Sequence, residues 1–276
     1  MKKIGLALGA GGARGLAHIV LIEALEELEI QPTIIAGSSI GAIVGAFYAA
    51  GFKTDEMKHI LHQIIHGTKS KFWEIHKKSD FIKYFDLLDP TIKIGGLLKG
   101  DKLANFLSTQ LKINDFNKLQ IPLKVVATDY FSKNQVVLDK GDLISAVRAS
   151  YALPFLFSPV KREKKLLVDG GMVNPLPYDI LFNDCDLTIA VDVSASNGAR
   201  TKLDIPPAYE VFFSAFQIMQ GSIINEKTKN IAPDIHIRTN IEDVRVHEFM
   251  KADTILESAR PYKTELKKKL TKLLSL

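Results

Sequence analysis

One serine in this sequence stands in a setting that could make it a nucleophile. Ser39 lies in the pattern Gly-Ser-Ser-Ile-Gly over residues 37–41, between an apolar stretch that predicts a strand and a small-residue stretch that predicts a helix. The GxSxG motif requires this context, because its glycines allow a sharp turn that exposes the serine hydroxyl. The amides at the start of the helix would then face the reacting oxygen. The pattern favours a nucleophilic serine over a plain turn.

A glycine-rich loop, residues 9–15, joins the first predicted strand to the first predicted helix. A dinucleotide fingerprint would need a glycine where Arg14 stands and an acidic residue at the end of the second strand. A phosphate-binding P-loop would need Gly-Lys-Ser/Thr at its end. The sequence has neither feature. Two hypotheses stay open: an oxyanion hole built from backbone amides, or a turn that lets the helix pack closely.

The base that would activate Ser39 could be an aspartate or a histidine. Asp169 ends an apolar stretch and is followed by two glycines, although Asp-Gly is by itself often only a turn. Among the seven histidines, His236 and His247 follow the Ser…Asp…His order of α/β-hydrolases. Those enzymes usually place several strands before the nucleophile, whereas Ser39 follows the second predicted strand. The histidine triad is therefore the weaker hypothesis.

The elements that must position these residues alternate along the chain. Apolar runs predict strands at residues 3–8, 33–36, 123–130, 135–138, 166–168 and 187–193. Helical spacing or composition predicts helices at residues 16–28, 42–50 and 143–150, with Asp142 as the N-cap of the last one. Strands that alternate with helices indicate a parallel sheet covered by helices, so the fold class is α/β.

We expect a single domain over residues 1–276, because no linker, low-complexity tract or internal repeat divides the chain. The predicted core covers about residues 3–52 and 120–195. Between them, about residues 53–119 predict a helical insertion without a convincing strand. The region from about 200–276 is predicted to be mostly helical.

Taken together, the glycine loop, the GxSxG motif and the distant Asp-Gly-Gly resemble the patatin-like phospholipases, including their small bacterial single-domain members. Stretches such as LALGAGGARGLAHIVLIEAL and LLVDGGMVNPLPYDIL look like family blocks, and the resemblance covers most of residues 3–195. It implies a three-layer α/β fold, with a mostly parallel central sheet and helices on both faces. The insertion and the C-terminal region match weakly.

The resemblance also implies an active site. Carried over by position, it makes Ser39 and Asp169 a catalytic dyad. The implied oxyanion hole consists of the amides of Gly11, Gly12 and Ala13, and the motif glycines are Gly37, Gly41, Gly170 and Gly171. Ala10 stands where the family commonly has the first of three consecutive glycines, and its amide is not part of the implied hole. Arg14 could attract a phosphate head group or tie down the loop, and both hypotheses stay open.

Such a dyad places a requirement on Asp169. The carboxylate must accept the proton of Ser39 as the hydroxyl attacks an ester carbonyl, and must then return it to the leaving alcohol. A free aspartate with a pKa of about 3.9 is a poor base at neutral pH. We therefore expect a buried site that raises the pKa of Asp169.

Composition excludes several other classes. The chain is 46% hydrophobic and 24% charged, as is ordinary for globular proteins, and its net charge of +5 is too modest to indicate nucleic-acid binding. The single cysteine, Cys185, excludes an internal disulfide and a cysteine-based cluster. His59, His62 and His66 share a predicted helical face, but no paired acidic ligand completes a metal site. We expect neither a metal nor an organic cofactor.

Three segments bear on membrane and subunit contacts. Residues 69–85 and 261–276 combine lysines with aromatic or leucine side chains, so both could face an anionic membrane. The C-terminal helix could equally pack on its own domain or on a second copy. The Phe-rich segment 211–219 could line an acyl pocket, form a dimer contact or pack in the core. The start of the chain lacks a signal-peptide core, so we expect a cytoplasmic protein.

The functional hypothesis is a lipid acyl hydrolase that forms a covalent acyl-enzyme. Two alternatives remain at this point: a general carboxylesterase that acts on soluble esters, and a non-catalytic lipid-binding or regulatory module that kept the fold. The carboxylesterase would differ from the lipid acyl hydrolase only in its substrate. The second would have been favoured by loss of the serine, the aspartate or the loop glycines, all of which are present.

Overall fold

The computed structural model describes residues 2–67, 100–154, 156–194, 205 and 208–275. One eight-stranded sheet carries this part of the chain. Its strands are β1 (Ile4–Leu8), β2 (Ile34–Ser38), β3 (Leu123–Asp129), β4 (Gln135–Leu138), β5 (Val160–Arg162), β6 (Lys165–Asp169), β7 (Leu187–Asp192) and β8 (Ile235–Arg238). The helices are α1 (Ala17–Glu27), α2 (Ile40–Ala49), α3 (Thr54–Gly67), α4 (Asp101–Leu111), α5 (Leu143–Ser150), α6 (Ala208–Asn230) and α7 (Ala252–Leu274).

The sheet is mostly parallel, as the sequence predicts. The path of hydrogen-bonded neighbours is β5-β6-β3-β2-β1-β7-β8, and β4 also pairs with β3. The run β3-β2-β1-β7-β8 is parallel throughout, whereas β4, β5 and β6 add antiparallel pairs. Every residue of β1, β2 and β7 is buried. These strands therefore appear in the sequence as continuous apolar runs rather than as alternating patterns.

Two strand ends meet on one edge of β3. Because β4 occupies the opposite edge, β2 and β6 share this one. β2 runs parallel to β3 and ends at Ser38, opposite Val126. β6 runs antiparallel and ends at Asp169, opposite Ala127. The chain therefore places Ser39, the residue after β2, beside a residue 130 positions later.

Helices cover both faces of the sheet, which confirms the predicted layered α/β class. Successive residues of a strand point to opposite faces. Leu6 and Leu8 lie in a large cluster with α1, α2 and α7. Ala7 lies in a second cluster with Tyr178 and Ile224, the latter from α6. Each face of the sheet thus packs against its own apolar layer.

Most local predictions in the core are confirmed. β3 and β4 form the expected antiparallel hairpin, and the Asp142 side chain accepts the amide of Ser145 to cap α5. In the described part of the insertion, α3 and α4 are helical. The basic aromatic segment 69–85 lies outside the described residues.

Two short strands are missing from the sequence prediction. β5 has three residues, and only Val160 among them is fully buried, so it carries little apolar signal. β8 lies in the C-terminal region that was expected to be mostly helical. Its sequence, Ile-His-Ile-Arg, alternates buried and more exposed positions as a sheet-edge strand does. Pairing with β7 forms it, and four residues are too short for a clear periodic signal.

The structure shows how the two C-terminal helices, α6 and α7, pack. Leu266 and Leu270 of α7 are fully buried, and Lys263 forms ion pairs with Glu23 and Glu27 of α1, so this helix packs on its own domain. The segment 211–219 of α6 is only partly packed in the core, because several of its apolar side chains are exposed. No helix among the described residues is long and apolar enough to cross a membrane. Homo-oligomer formation stays a prediction.

Candidate active site

The Ser39 turn has the strained geometry that a nucleophile motif requires. Ser39 has φ 54° and ψ −120°, a conformation with positive φ that non-glycine residues rarely adopt, and it forms the N-cap of α2. The two motif glycines allow close packing around it. A Cβ on Gly37 would lie 2.6 Å from the Cα of Ala42, and one on Gly41 would lie 2.1 Å from the carbonyl oxygen of Leu8.

The structure brings Ser39 and Asp169 into direct contact. Ser39 Oγ donates a hydrogen bond to Asp169 Oδ2 at 2.7 Å. The other carboxylate oxygen, Oδ1, accepts the amide of Gly171 at 2.7 Å. Asp169 is only 1% exposed, and this burial raises its pKa from 3.8 to about 7, while the hydrogen bonds from Ser39 and Gly171 act in the opposite direction. The expected increase in the pKa is therefore present.

The glycines after Asp169 are required by close contacts. A Cβ on Gly170 would lie 2.1 Å from the carbonyl oxygen of Val126. A Cβ on Gly171 would lie 2.3 Å from Nε2 of Gln220, whose side chain also donates to the carbonyl oxygen of Gly171 at 3.3 Å. The Asp-Gly-Gly motif thus lets the Asp169 turn fit between β3 and α6.

One expectation for the predicted oxyanion loop, a free amide at Ala13, is wrong. The amide of Ala13 donates to the carbonyl oxygen of Val246 at 2.7 Å, so it is not the free donor that the sequence predicted. The amide of Ala10 likewise donates to the carbonyl oxygen of Pro175 at 2.8 Å. Within the described residues, no acceptor bonds to the amides of Gly11 and Gly12. In this conformation the candidate donors are therefore Gly11 and Gly12.

Arg14 lies inside the protein. Its side chain is 1% exposed, and burial lowers its pKa to about 10 while the nearby charge of Asp192 opposes that change. A buried guanidinium is not at the surface where a lipid head group would arrive. The structure therefore favours the second hypothesis, in which Arg14 ties down the glycine loop. His18 braces the same loop through Nε2 and the carbonyl oxygen of Gly9, 2.8 Å apart.

No histidine is among the hydrogen-bond partners of Ser39 in the part of the chain that the structure describes. His236 lies near Asp192, with Nε2 3.8 Å from Oδ2, and the ring of His247 lies beside Phe213 at a centroid distance of 6.5 Å. The late histidines thus do not complete a triad here. Among the described residues, no group of His, Cys, Asp or Glu is arranged to hold a metal ion.

Three residues around the dyad have no signal in the motifs. The hydroxyl of Ser150 accepts the backbone amide of Ser39 at 2.9 Å. The hydroxyl of Thr128 donates to the carbonyl oxygen of Asp169 at 2.8 Å, and the amide of Asp169 donates to the carbonyl oxygen of Ala152 at 3.0 Å. These contacts join residues far apart in the chain, so no local pattern could have identified them.

Comparison with known proteins identifies the family. A family model described as patatin-like phospholipase matches residues 6–182. An uncharacterized NTE family protein of Mycobacterium tuberculosis is 37% identical over 201 residues, which are 72% of this chain and 51% of that protein. Patatin-like phospholipase domain-containing protein 7 of Rattus norvegicus is 31% identical over 205 residues, or 73% of this chain and 14% of that protein. The chain belongs to the patatin-like phospholipase family, and it spans about half the length of the mycobacterial relative.

Solved structures share the fold at low sequence identity. VipD from Legionella pneumophila matches with a TM-score of 0.54 and 13% identity, over 97% of this chain and 66% of that one. Full-length ExoU in complex with SpcU, from Pseudomonas aeruginosa, matches with a TM-score of 0.50 and 11% identity, over 100% of this chain and 53% of that one. At these identities the likeness concerns the fold alone.

Proposed function

We propose that this protein is a serine acyl hydrolase that cleaves carboxylic acyl esters of lipids through Ser39 and Asp169. The observation that carries the proposal is the 2.7 Å hydrogen bond from Ser39 Oγ to Asp169 Oδ2, formed at a strand–helix turn in which Ser39 has φ 54°. Membership of the patatin-like phospholipase family supports lipid ester hydrolysis as the class of reaction. The catalytic unit is a single domain.

In the first half-reaction, Ser39 Oγ attacks the ester carbonyl carbon while Asp169 accepts the hydroxyl proton. The carbonyl oxygen becomes negatively charged, and the amides of Gly11 and Gly12 together with the N-terminus of α2 are suited to stabilise it. The bond from the carbonyl carbon to the alcohol oxygen then breaks. Asp169 returns the proton to that oxygen, and the acyl group stays on Ser39.

Water completes the cycle. Asp169 accepts a proton from the attacking water, the acyl carbon–Ser39 bond breaks, and the proton returns to Ser39 Oγ as the fatty acid leaves. A general base works best when its pKa lies near the operating pH. The pKa of about 7 at Asp169, raised mainly by burial, suits both the acceptance and the return of this proton.

Exposed apolar side chains on α6, the helix that contacts the Asp169 turn, support a lipid substrate over a soluble ester. Residues 211–225 of α6 contain no charged side chain. Ile218 and Met219 are 72% and 56% exposed, and the next residue, Gln220, contacts Gly171 beside the catalytic aspartate. Exposed apolar surface of this kind marks contact sites with apolar partners. We therefore include peripheral contact with a lipid surface, in the cytoplasm, in the proposal.

The proposal is tested with fluorophosphonate labelling and with hydrolysis of a phospholipid in vesicles and of a short p-nitrophenyl ester in solution. We expect Ser39→Ala to abolish labelling, and Ser39→Ala and Asp169→Asn each to lower kcat by roughly 10⁴-fold or more. The matched control is Asp129→Asn, which changes another strand-end aspartate and should keep activity. Wild-type kcat/KM should fall as the pH decreases through about 7, because Asp169 becomes protonated.

Each alternative has its own outcome. Labelling of Ser39→Ala at the wild-type level would exclude Ser39 as the nucleophile. Hydrolysis of the soluble ester without hydrolysis of vesicle phospholipid would support a general carboxylesterase. An inert wild-type protein that still binds lipid vesicles would support a non-catalytic lipid-binding module.

A further inference from the structure

We infer that Ser150 is a positioning residue that holds the Ser39 turn in its catalytic conformation. Neither the GxSxG motif nor the Asp-Gly-Gly motif includes Ser150, which is the last residue of α5. The inference rests on the proposed Ser39–Asp169 dyad. It concerns how the backbone of the nucleophile is held, and Ser150 takes no part in the bond changes.

The hydroxyl of Ser150 links two elements of the site. It accepts the amide of Ser39 at 2.9 Å and donates to the carbonyl oxygen of Val126 at 2.6 Å. Ser150 is fully buried. A serine hydroxyl has one hydrogen to donate, and Val126 receives it, so the oxygen faces the Ser39 amide as an acceptor. The direction of both hydrogen bonds is therefore determined.

The hydrogen bond from the Ser39 amide to Ser150 compensates for the unfavourable backbone conformation of Ser39. Residues other than glycine with positive φ persist only where surrounding contacts hold them. The amide of Ser39 precedes α2, so it has no acceptor within that helix. Ser150 supplies this acceptor in the conformation in which Ser39 has a φ of 54°. Loss of the hydroxyl would leave the turn free to relax and move Oγ away from Asp169.

The same chain turn also holds the base. Two residues after Ser150, the carbonyl oxygen of Ala152 accepts the amide of Asp169 at 3.0 Å. Residues 150–152 thus bond to the backbone of both members of the dyad. Val126, which receives the Ser150 hydrogen, lies opposite Ser38 at the point where β2 ends. The turn at the end of α5 therefore fixes one strand end relative to the other.

Ser150→Ala tests the inference, with Thr188→Val as the matched control. Thr188 is a buried hydroxyl near the start of β7, at the opposite end of the sheet from Ser39, and it donates to Asp234 at 2.8 Å. We expect Ser150→Ala to lower kcat by about 10- to 100-fold, because small displacements of reacting groups cost rates of this order. KM should stay within about twofold, since no substrate contact changes. Thr188→Val should lose stability without loss of kcat.

A pH profile separates positioning from general destabilisation. The hydrogen bond from Ser39 lowers the pKa of Asp169, against the larger effect of burial. If Ser150→Ala weakens that bond, the acid limb of kcat/KM must move to higher pH than in wild type. Thr188→Val should leave the acid limb of kcat/KM at the wild-type pH. Ser150→Cys, which keeps a similar shape but only a weak donor and acceptor, provides the same comparison if Ser150→Ala does not fold.

Labelling of Ser39 by a fluorophosphonate distinguishes the two possible failures. If the wild type labels and Ser150→Ala labels at the same rate, with unchanged kcat and pH profile, Ser150 is only structural and the inference is wrong. If wild-type labelling does not depend on Ser39, the proposed function fails and this inference fails with it. Slower labelling of Ser150→Ala, with normal behaviour of Thr188→Val, is the expected result.

Discussion

At the residue scale, a single buried carboxylate connects the proposed catalysis to stability. Asp169 is 1% exposed and its pKa is raised to about 7, mainly by burial. Its folded-state pKa therefore lies above the value of 3.8 expected without burial. Between these two pH values the folded protein binds more protons than the unfolded chain, so the free energy of unfolding falls as the pH rises. Above about pH 7 the full cost of the buried charge is present.

We predict that Asp169→Asn raises the melting temperature, and raises it more at pH 8 than at pH 5. The neutral amide avoids the cost of a buried charge, and a pKa displaced from 3.8 to about 7 corresponds to at most about 4 kcal/mol. Thermal unfolding at the two pH values measures the difference. Ser39→Ala is the control, because we also expect it to be inactive but it keeps the buried carboxyl, so its stability should still fall as the pH rises from 5 to 8. An equal gain at both pH values would contradict this account.

The contact between α2 and β1 decides, at the element scale, where Ser39 lies. A Cβ on Gly41 would lie 2.1 Å from the carbonyl oxygen of Leu8, which is backbone and cannot move aside. Gly45, one turn later on α2, is different. Its nearest neighbours would be side-chain atoms of Ile35 and Leu123, at 3.3 and 3.4 Å. The first glycine is required by packing, whereas the second nearly accommodates a methyl group.

We predict opposite results for Gly41→Ala and Gly45→Ala. Overpacking against backbone should lower the free energy of unfolding of Gly41→Ala by about 1–3 kcal/mol or more, and should slow fluorophosphonate labelling of Ser39. Gly45→Ala gains helix propensity of up to about 1 kcal/mol, which offsets its small crowding. Urea unfolding and labelling rates provide the comparison. Equal losses in both variants would show that the approach of α2 to β1 is not what requires Gly41.

At the scale of the whole molecule, several exposed apolar side chains of the described residues lie after β3 and on α6. Two of them directly follow the C-terminal end of β3, the strand that pairs with both β2 and β6, and two lie near the start of α6. They are Tyr130, Phe131, Val211 and Phe212. Further along α6, Ile218 and Met219 are exposed as well, and Gln220 of the same helix contacts the Asp169 turn. These side chains fit the proposed action on lipid at a surface.

We predict that Ile218→Ser combined with Met219→Ser lowers binding to phosphatidylcholine vesicles by at least about tenfold, because each side chain would lose about 1.5–3 kcal/mol of burial. Ile231→Ser is the control: Ile231 is 60% exposed and lies about 20 Å further along the same helix axis. Sedimentation with vesicles measures binding, and turnover of a soluble ester should not change in either variant.

Two results would contradict this assignment of the α6 surface. Equal loss of binding in Ile231→Ser would show that the effect is not specific to the segment beside the active site. A wild-type dimer in light scattering that the double variant converts to monomers would instead identify the surface as a subunit interface.

Local patterns in the sequence were sufficient for the class of fold and for the choice of Ser39 as the candidate nucleophile. GxSxG between a strand and a helix depends only on neighbouring residues, and the continuous apolar runs of β1, β2 and β7 are visible because these strands are buried on both faces. The short edge strand β8 was missed because four residues carry too little periodic signal. The family resemblance connected Ser39 to Asp169, which no spacing rule could have done.

Only the tertiary structure decided how these residues act together. Ser39 and Asp169 meet because β2 and β6 end on the same edge of β3, and the pKa of Asp169 rises because the fold buries it. The occupied amide of Ala13 and the buried side chain of Arg14 likewise depend on distant segments. The hydrogen bonds of Ser150 to Ser39 and Val126 also join distant segments. Desolvation and long-range hydrogen bonds arise from the packing of segments far apart in the chain, so local residue patterns do not reveal them.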